Sequence, residues 1–344
     1  MKRLGYLFLL FFMNSLNSQV IHKRVLSLLG SPFEITLVGK DTIEINENIE
    51  IGVAEVKRIE NLISDWIPTT PISEINRNAG IKPIEVSEEL YDLIERSIKI
   101  SQITNGAFDI SYASMDKIWK FDGSMKVMPS ASAIKESVSK IGYKNIILDK
   151  SNRTIFLKTP GMKLGLGGIG QGYIADMVTK LLKSKGVVSG IINVSGDIST
   201  WGKQPNGKQW KVGIKNPMNK NKIFAMFPLE DSAVETSGSY EKYVVFNGIR
   251  YSHIIDPRTG YPAQGLVSVS VFAKTTEVAD ALATGIFVLG KEKGMELVNK
   301  LPGISCIMVD DKGKVYTSDN IDLKKYKNEY VFFSTNNCFK FYFL

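Results

Sequence analysis

The chain has few of the side chains that announce a metal or redox centre. Of its 344 residues two are cysteine, Cys306 and Cys338, and two are histidine, His22 and His253. Two cysteines far apart and late in the chain give no zinc-ligand spacing, and a disulfide between them stays open. Lys and Arg number 43 against 35 Asp and Glu, yet no dense basic run forms an arm for nucleic acid. No internal repeat and no low-complexity linker divides the sequence. The apolar runs at the two ends, Leu4 to Met13 and Val331 to Leu344, are too short to span a bilayer as helices.

What is present is ordinary globular composition, 44% hydrophobic and 23% charged, with a net charge of +8 that favours anions such as phosphates. Met1-Lys2-Arg3, the apolar run and the polar residues up to Gln19 have the layout of an export signal cleaved near Ser18. No cysteine stands there for lipid attachment. We therefore expect an export signal over 1–18, one domain over 19–330 and a Phe- and Tyr-rich tail over 331–344 with no assigned role. The expected location is the bacterial periplasm or cell envelope, either soluble or held at the inner membrane by an uncleaved signal.

Glycine and proline punctuate the whole body, which predicts one interwoven domain of mixed α/β (α+β) class. Phe33 to Val38 alternates like a strand. Asn48 to Ile63 has helical spacing. Ser87 caps a helix running to Thr104, with Leu90, Leu93, Ile94, Ile98 and Ile103 on its apolar stripe. Ser130 to Gly142 predicts a short helix before a strand at Asn145 to Leu148. Five glycines between Gly165 and Gly172 open a helix stopped by Gly186, and a strand follows at Gly190 to Val194. Val267 to Ala273 predicts a strand, and Thr276 to Leu289 a helix ended by Gly290.

Several short constellations carry chemistry. Ser252 to Gly260 packs His253, Asp256 and Arg258 into a turn bent by proline and glycine, a grouping suited to phosphate chemistry and also to a plain structural turn. The Gly165–Gly172 stretch lets backbone approach a ligand at a helix start, or simply lets helix and strand pack closely. No Lys-Ser or Lys-Thr pair follows it, so it is not a Walker loop. Asp280 and Thr284 stand four apart on one helix face among alanines, as oxygen ligands suited to Mg²⁺ or as a solvated pair. Asn105 to Asp109, Trp66 before Asn76, Asn193 to Asp197 at a strand end, and the hydroxyl-rich Glu235 to Tyr240 complete the set.

The order of these seven motifs over residues 28 to 320 resembles the ApbE family, flavin transferases that move FMN from FAD to a protein threonine. The resemblance implies a T-fold-like domain with mixed or antiparallel sheets flanked by helices. It implies an Mg²⁺ site made by Asp280, Thr284 and the carbonyl of Gly170. It implies FAD contacts at Leu29, Trp66, Ala107, Phe108, Asp109, Gly167, Tyr173, Asp197, Thr236, Ser237, Gly238 and Ile254. In this picture His253 accepts the threonine proton, Asp256 orients it, Arg258 holds a phosphate oxygen and AMP leaves. Partners would be FAD and an acceptor with a target threonine, either a membrane redox subunit or an exported flavoprotein, and no nucleic acid. Three departures stand out: Gln171 where many relatives have Lys, Ser195 for the first Gly of Gly-Gly-Asp, and the missing lipid-attachment Cys. An Mg²⁺-dependent FAD pyrophosphatase using water, and a non-catalytic exported FAD-binding protein, stay open as alternatives.

Overall fold

Apolar alternation builds the central sheet. In the computed structural model, which describes residues 19–219, 222–239 and 242–323, strands β1 (Val20–Leu28) and β2 (Ser31–Gly39) form a hairpin. Phe33, Ile35 and Leu37 of β2 face one way and Val38 faces the other. Each fully buried side chain of this kind contributes about 1.5–3 kcal/mol. The proposed export segment, the 331–344 tail and Cys338 lie outside the described residues.

The chain continues through α1 (Thr42–Ile63), α2 (Pro71–Arg77), β3 (Ile84–Glu85), α3 (Glu88–Ile103), α4 (Ala131–Ser137), β4 (Ile146–Asp149) and β5 (Thr154–Leu157). Then come α5 (Gly170–Ser184), β6 (Gly190–Val194), β7 (Asp197–Trp201), β8 (Trp210–Lys215), β9 (Ile223–Leu229) and β10 (Ser232–Gly238). Last are β11 (Tyr243–Phe246), β12 (Ile249–Ser252), β13 (Leu266–Ala273), α6 (Thr276–Lys300), β14 (Ser305–Asp310) and β15 (Val315–Thr317). Eight strands form the main sheet in the order β1-β2-β6-β7-β10-β13-β14-β15, every neighbour antiparallel. Helices α1, α5 and α6 cover one face. The β8-β9 hairpin covers the other through Trp210, Val212 and Phe227. The mixed α+β single-domain expectation is met.

Local caps explain where the sequence reading shifts. Helix α1 starts six residues before Asn48 because Asp41 accepts the N–H groups of Ile43 and Glu44. Helix α3 matches its prediction, with Ser87 Oγ accepting from Leu90 N, but Ile103 at its end is exposed and Ser97 and Ser101 fill the buried side. Helix α4 ends at Ser137, earlier than Gly142. Gly290 does not end α6. It interrupts the helix with φ 77°, and a second helical half runs on to Lys300.

Candidate active site

Helices α5 and α6 lock together at their N-termini. Gly172 N donates to Asp280 Oδ2 at 3.1 Å, so a carboxylate of α6 caps the first turn of α5. Asp176 of α5 returns the contact, accepting Thr276 N and Glu277 N at 2.9 and 2.8 Å. The approach requires glycine. A Cβ on Gly172 would lie 2.7 Å from Thr276 C and 2.9 Å from Asp280 Cβ, and closer still to the Thr276 carbonyl oxygen. Gly168 lies beside Thr284 and Phe108 in ordinary contact, its Cβ position 3.5 Å from Thr284 Oγ1 and 3.4 Å from the Phe108 ring. Thus the glycine-rich helix start, the Ala107–Asp109 turn and the alanine-rich helix meet, though they are far apart in sequence.

This junction floors a cleft of about 610 Å³. Gly167, Gly168 and Gln171 come from the glycine start, Asp280 and Thr284 from α6, Asn193 to Asp197 from the β6–β7 turn, and Glu235 to Gly238 from β10. The turn holds Ser195 at φ 57° and Gly196 at φ 121°, so two left-handed residues close the hairpin. Ser195 tolerates that geometry while its N–H and Oγ both donate to the Pro32 carbonyl, at 3.0 and 3.1 Å.

Carboxyl groups are concentrated on the floor. Burial pushes the Asp280 carboxyl up to about 7, helped by the charges of Glu277 and Asp176 and opposed by the Gly172 N–H. Asp197 is raised well above the usual carboxylate range, first by burial and then by Asp280 and Asp176. Glu235 is raised likewise by burial, then by Asp197 and Asp280. Asp197 Oδ1 is buried with no hydrogen-bond partner. Among the described residues no three His, Cys, Asp or Glu side chains are grouped as a metal cage. The oxygen donors of Asp280, Thr284 and Gly170 nevertheless fit a hard cation, which commonly takes only one or two carboxylates and completes its shell with water and phosphate. A buried carboxylate that resists ionisation gains its missing counter-charge from such an ion.

His253 and Ile254 enter the cleft from the other side. His253 Nδ1 lies 3.2 Å from the Lys242 carbonyl oxygen, which only accepts, so the neutral ring carries its proton on Nδ1 and its lone pair on Nε2. The ring also meets Phe121 edge-on at 6.5 Å. Asp256 does not orient His253 in this arrangement. Its two oxygens take Arg258 Nε and Nη2 at 2.8 and 2.7 Å, and Oδ1 also takes Arg258 N. That bidentate pair raises the Arg258 pKa and commits two of its nitrogens to bracing the turn, leaving the expected phosphate contact unsupported.

Of the residues expected at FAD, Gly167, Asp197, Thr236, Ser237, Gly238 and Ile254 line the cleft. Leu29 stands just before Gly30 and Ser31, which line it, and holds φ 57°. The others sit elsewhere. Ala107 and Phe108 are buried behind the glycine start. Asp109 is buried and accepts from Ser111 N, Ser111 Oγ and Tyr143 N, a turn-holding role. Tyr173 turns away, its hydroxyl donating to Glu89 Oε1 at 2.7 Å and its ring 5.9 Å from the Arg96 guanidinium. Trp66 is 78% exposed outside the cleft, with Lys117 Nζ 4.6 Å from its ring centre. One residue that lines the cleft, Glu235, was missed as a site member. The available signal was an acid beside Ala233 and Val234 in a strand, where a solvent-facing polar residue is not expected on the packed face.

Comparison with known proteins identifies the family and the fold. The ApbE family model matches residues 29–308. The FAD:protein FMN transferase of Treponema pallidum is 31% identical over 293 residues, covering 81% of each chain. The crystal structure of the ApbE protein from Thermotoga maritima superposes with a TM-score of 0.80 at 30% identity, over 90% of this chain and 100% of that one. The flavin transferase ApbE from Vibrio cholerae gives a TM-score of 0.76 at 26% identity, over 90% and 99%.

Proposed function

The chain belongs to the ApbE family, and from that membership we propose that it transfers FMN from FAD to a threonine hydroxyl of an acceptor protein and releases AMP. The observation that carries this reading is one cleft of about 610 Å³ that joins a histidine of fixed tautomer to buried oxygen donors for a cation. A cleft of this size suits an extended small-molecule substrate.

The chemistry is a phosphoryl-type displacement. The threonine oxygen bonds to the phosphorus on the FMN half as the bond from that phosphorus to the bridging oxygen of AMP breaks. His253 Nε2 takes the hydroxyl proton, help worth roughly 10²–10⁴-fold. The Lys242 carbonyl holds the ring in the tautomer that leaves Nε2 basic. The glycine start and the Thr236–Gly238 end of strand β10 present N–H and hydroxyl groups to the phosphates. Mg²⁺ bound by Asp280, Thr284 and the Gly170 carbonyl would supply charge neutralisation of the pyrophosphate. The Asp256–Arg258 pair keeps the histidine turn rigid. The same reading places the enzyme in the cell envelope, on the strength of the N-terminal sequence alone.

The test is incubation with FAD, Mg²⁺ and a candidate acceptor domain, followed by intact mass. An acceptor heavier by one FMN with AMP in equal amount is the expected result. Free FMN and AMP with no adduct on any acceptor tried would make the protein a pyrophosphatase instead. Bound FAD that is never turned over would make it a carrier.

A further inference from the structure

Strands β11 and β12 form a ribbon of their own. Among the described residues each pairs only with the other, and neither joins the eight-stranded sheet. They turn at Asn247 and Gly248, whose φ angles of 50° and 77° suit the tight hairpin turn that matches strand twist. At its other end the ribbon runs into the cleft, which Lys242, just before β11, and His253, just after β12, both line. The Lys242 carbonyl takes the His253 N–H at 3.1 Å and the Nδ1 proton at 3.2 Å. The base of the ribbon is thus fixed to the residue that accepts the proton in the proposed reaction.

A lone two-stranded ribbon is marginal in water, and this one is held by its inner face. Val244 is buried, and Phe246 and Tyr251 pack against Trp119, Ile134 and Ile255. Tyr251 stacks on Trp119 with ring centres 6.0 Å apart. Trp119 Nε1 donates to the Gly260 carbonyl at 2.9 Å, which ties that packing to the far end of the histidine turn. Alternation turns Tyr243, Val245 and Arg250 to the outer face. There Val245 is 55% exposed and Tyr243 42%, with the Arg250 guanidinium 3.6 Å over the Tyr243 ring. Arg250 Nη2 donates to the Ser239 carbonyl at 3.0 Å, so cation and ring are held in place. Ile249 adds a third exposed apolar side chain at the tip, at 50%. Clustered exposed apolar side chains mark interaction surfaces.

We propose that the outer face of this ribbon docks the acceptor protein and sets its target hydroxyl at His253. The inference rests on the flavin-transfer reading and adds where the acceptor binds. With FAD in the cleft, an acceptor has to reach His253 from outside, and the ribbon is the exposed surface continuous with that residue. At about 3.3 Å per residue, Val245 stands roughly 10 Å from Lys242 at the base. An extended acceptor segment running along the ribbon therefore lays a side chain on Val245 about three positions from its target hydroxyl. That side chain is apolar, because it is buried against Val245 and the Tyr243 ring. The bonds from Lys242 and from Trp119 hold ribbon and histidine in one register, so docking and alignment are the same event.

The experiment reads acceptor and FAD separately. The full chain at saturating FAD is given increasing amounts of an acceptor domain that takes FMN from the wild type. Val245→Asp should raise the acceptor KM at least about tenfold, as loss of an interface anchor does, with kcat and the quenching of FAD fluorescence unchanged. Val245→Thr keeps the branched shape that strands favour and should raise it about threefold without disturbing the ribbon. Val188→Asp, at another exposed apolar side chain, between α5 and β6, should leave all three quantities at wild-type values. An acceptor KM within twofold of wild type in either Val245 variant overturns the proposal. So does a rise that comes with lost FAD quenching, or one that Val188→Asp matches. An adduct formed with an unmoved KM leaves flavin transfer standing without this surface. No adduct with the wild type on any acceptor tried sinks transfer and the docking surface together.

Discussion

Gly172→Ala should damage the site through its packing. The added methyl would lie 2.7 Å from Thr276 C and 2.9 Å from Asp280 Cβ, and nearer to the Thr276 carbonyl oxygen. That is about 1 Å short of ordinary contact. The obstruction is the backbone of α6, so no rotamer relieves it, and α5 and α6 must separate. Overpacking of this kind costs roughly 1–3 kcal/mol. Alanine in a helix recovers up to about 1 kcal/mol relative to glycine. A net loss of about 1 kcal/mol remains at the middle of that range, which lowers Tm by roughly 2–4 °C at the usual 2–4 °C per kcal/mol. The separation also draws the Gly170 carbonyl away from Asp280 and Thr284, and a 1 Å misplacement costs on the order of 100-fold in rate. Gly167→Ala is the control, because nothing lies within 4 Å of its Cβ position. Differential scanning calorimetry should show the Tm of that variant unchanged, and intact-mass timing of the FMN adduct measures the rate. A Gly172→Ala variant as stable as the wild type, or more stable as helix propensity alone predicts, would refute the close approach of the two helices.

Three other perturbations separate the roles. Asp176 is pushed up to about 6 by burial, against its ordinary 3.8. A raised carboxyl pKa means the folded chain holds the proton more tightly, so its stabilisation is present below about pH 4 and is lost as pH rises through 6, by up to about 3 kcal/mol. Asp176→Asn keeps an acceptor for Thr276 N and Glu277 N, so its Tm relative to the wild type should climb from pH 4 to pH 7; a flat difference removes the burial argument. His253→Ala should keep FAD binding, seen as flavin fluorescence quenching, while transfer falls roughly 10²–10⁴-fold, and undiminished transfer would rule out the proton-accepting role. Trp66→Ala should leave Tm unchanged because the ring is 78% exposed. Lying outside the cleft, the ring should also leave FAD affinity unchanged, and a loss of affinity would show that FAD reaches it.

Much of this architecture was legible because its signals are local. Period-two alternation marked Phe33–Val38, a serine cap and apolar stripe marked α3, and the glycine run before an apolar stripe marked the start of α5. Strands β8 to β12 and β14 were not anticipated, although they supply one cover of the sheet and one wall of the cleft. They are short, and several alternate polar with apolar residues in stretches that also look like surface loops. What decides between those states is pairing with partners distant in sequence, which no local window contains. The extension of α6 past Gly290 has the same origin. Gly294 packs against Ile286, and Val298 packs into the α6–β13 core, so tertiary burial carries the helix beyond its breaker.

The site divides along the same line. His253, Asp280 and Thr284 stood out because histidine is scarce and because a four-residue spacing on a helix is visible in one dimension. Asp256 and Arg258 were visible for the same reason and yet were assigned the wrong neighbours. Proximity in sequence does not say that a guanidinium two residues away will saturate both carboxylate oxygens. Glu235 stood only as the first residue of a hydroxyl-rich stretch, without a role, for the opposite reason. Its significance lies in the register that sets it across from Asp197 and in the helix face that buries both. A strand pattern of one acid among small and apolar residues is common where the acid faces solvent. Here the alternation of Val234 into the β8-β9 core forces Glu235 inward, toward two further carboxylates and no cation.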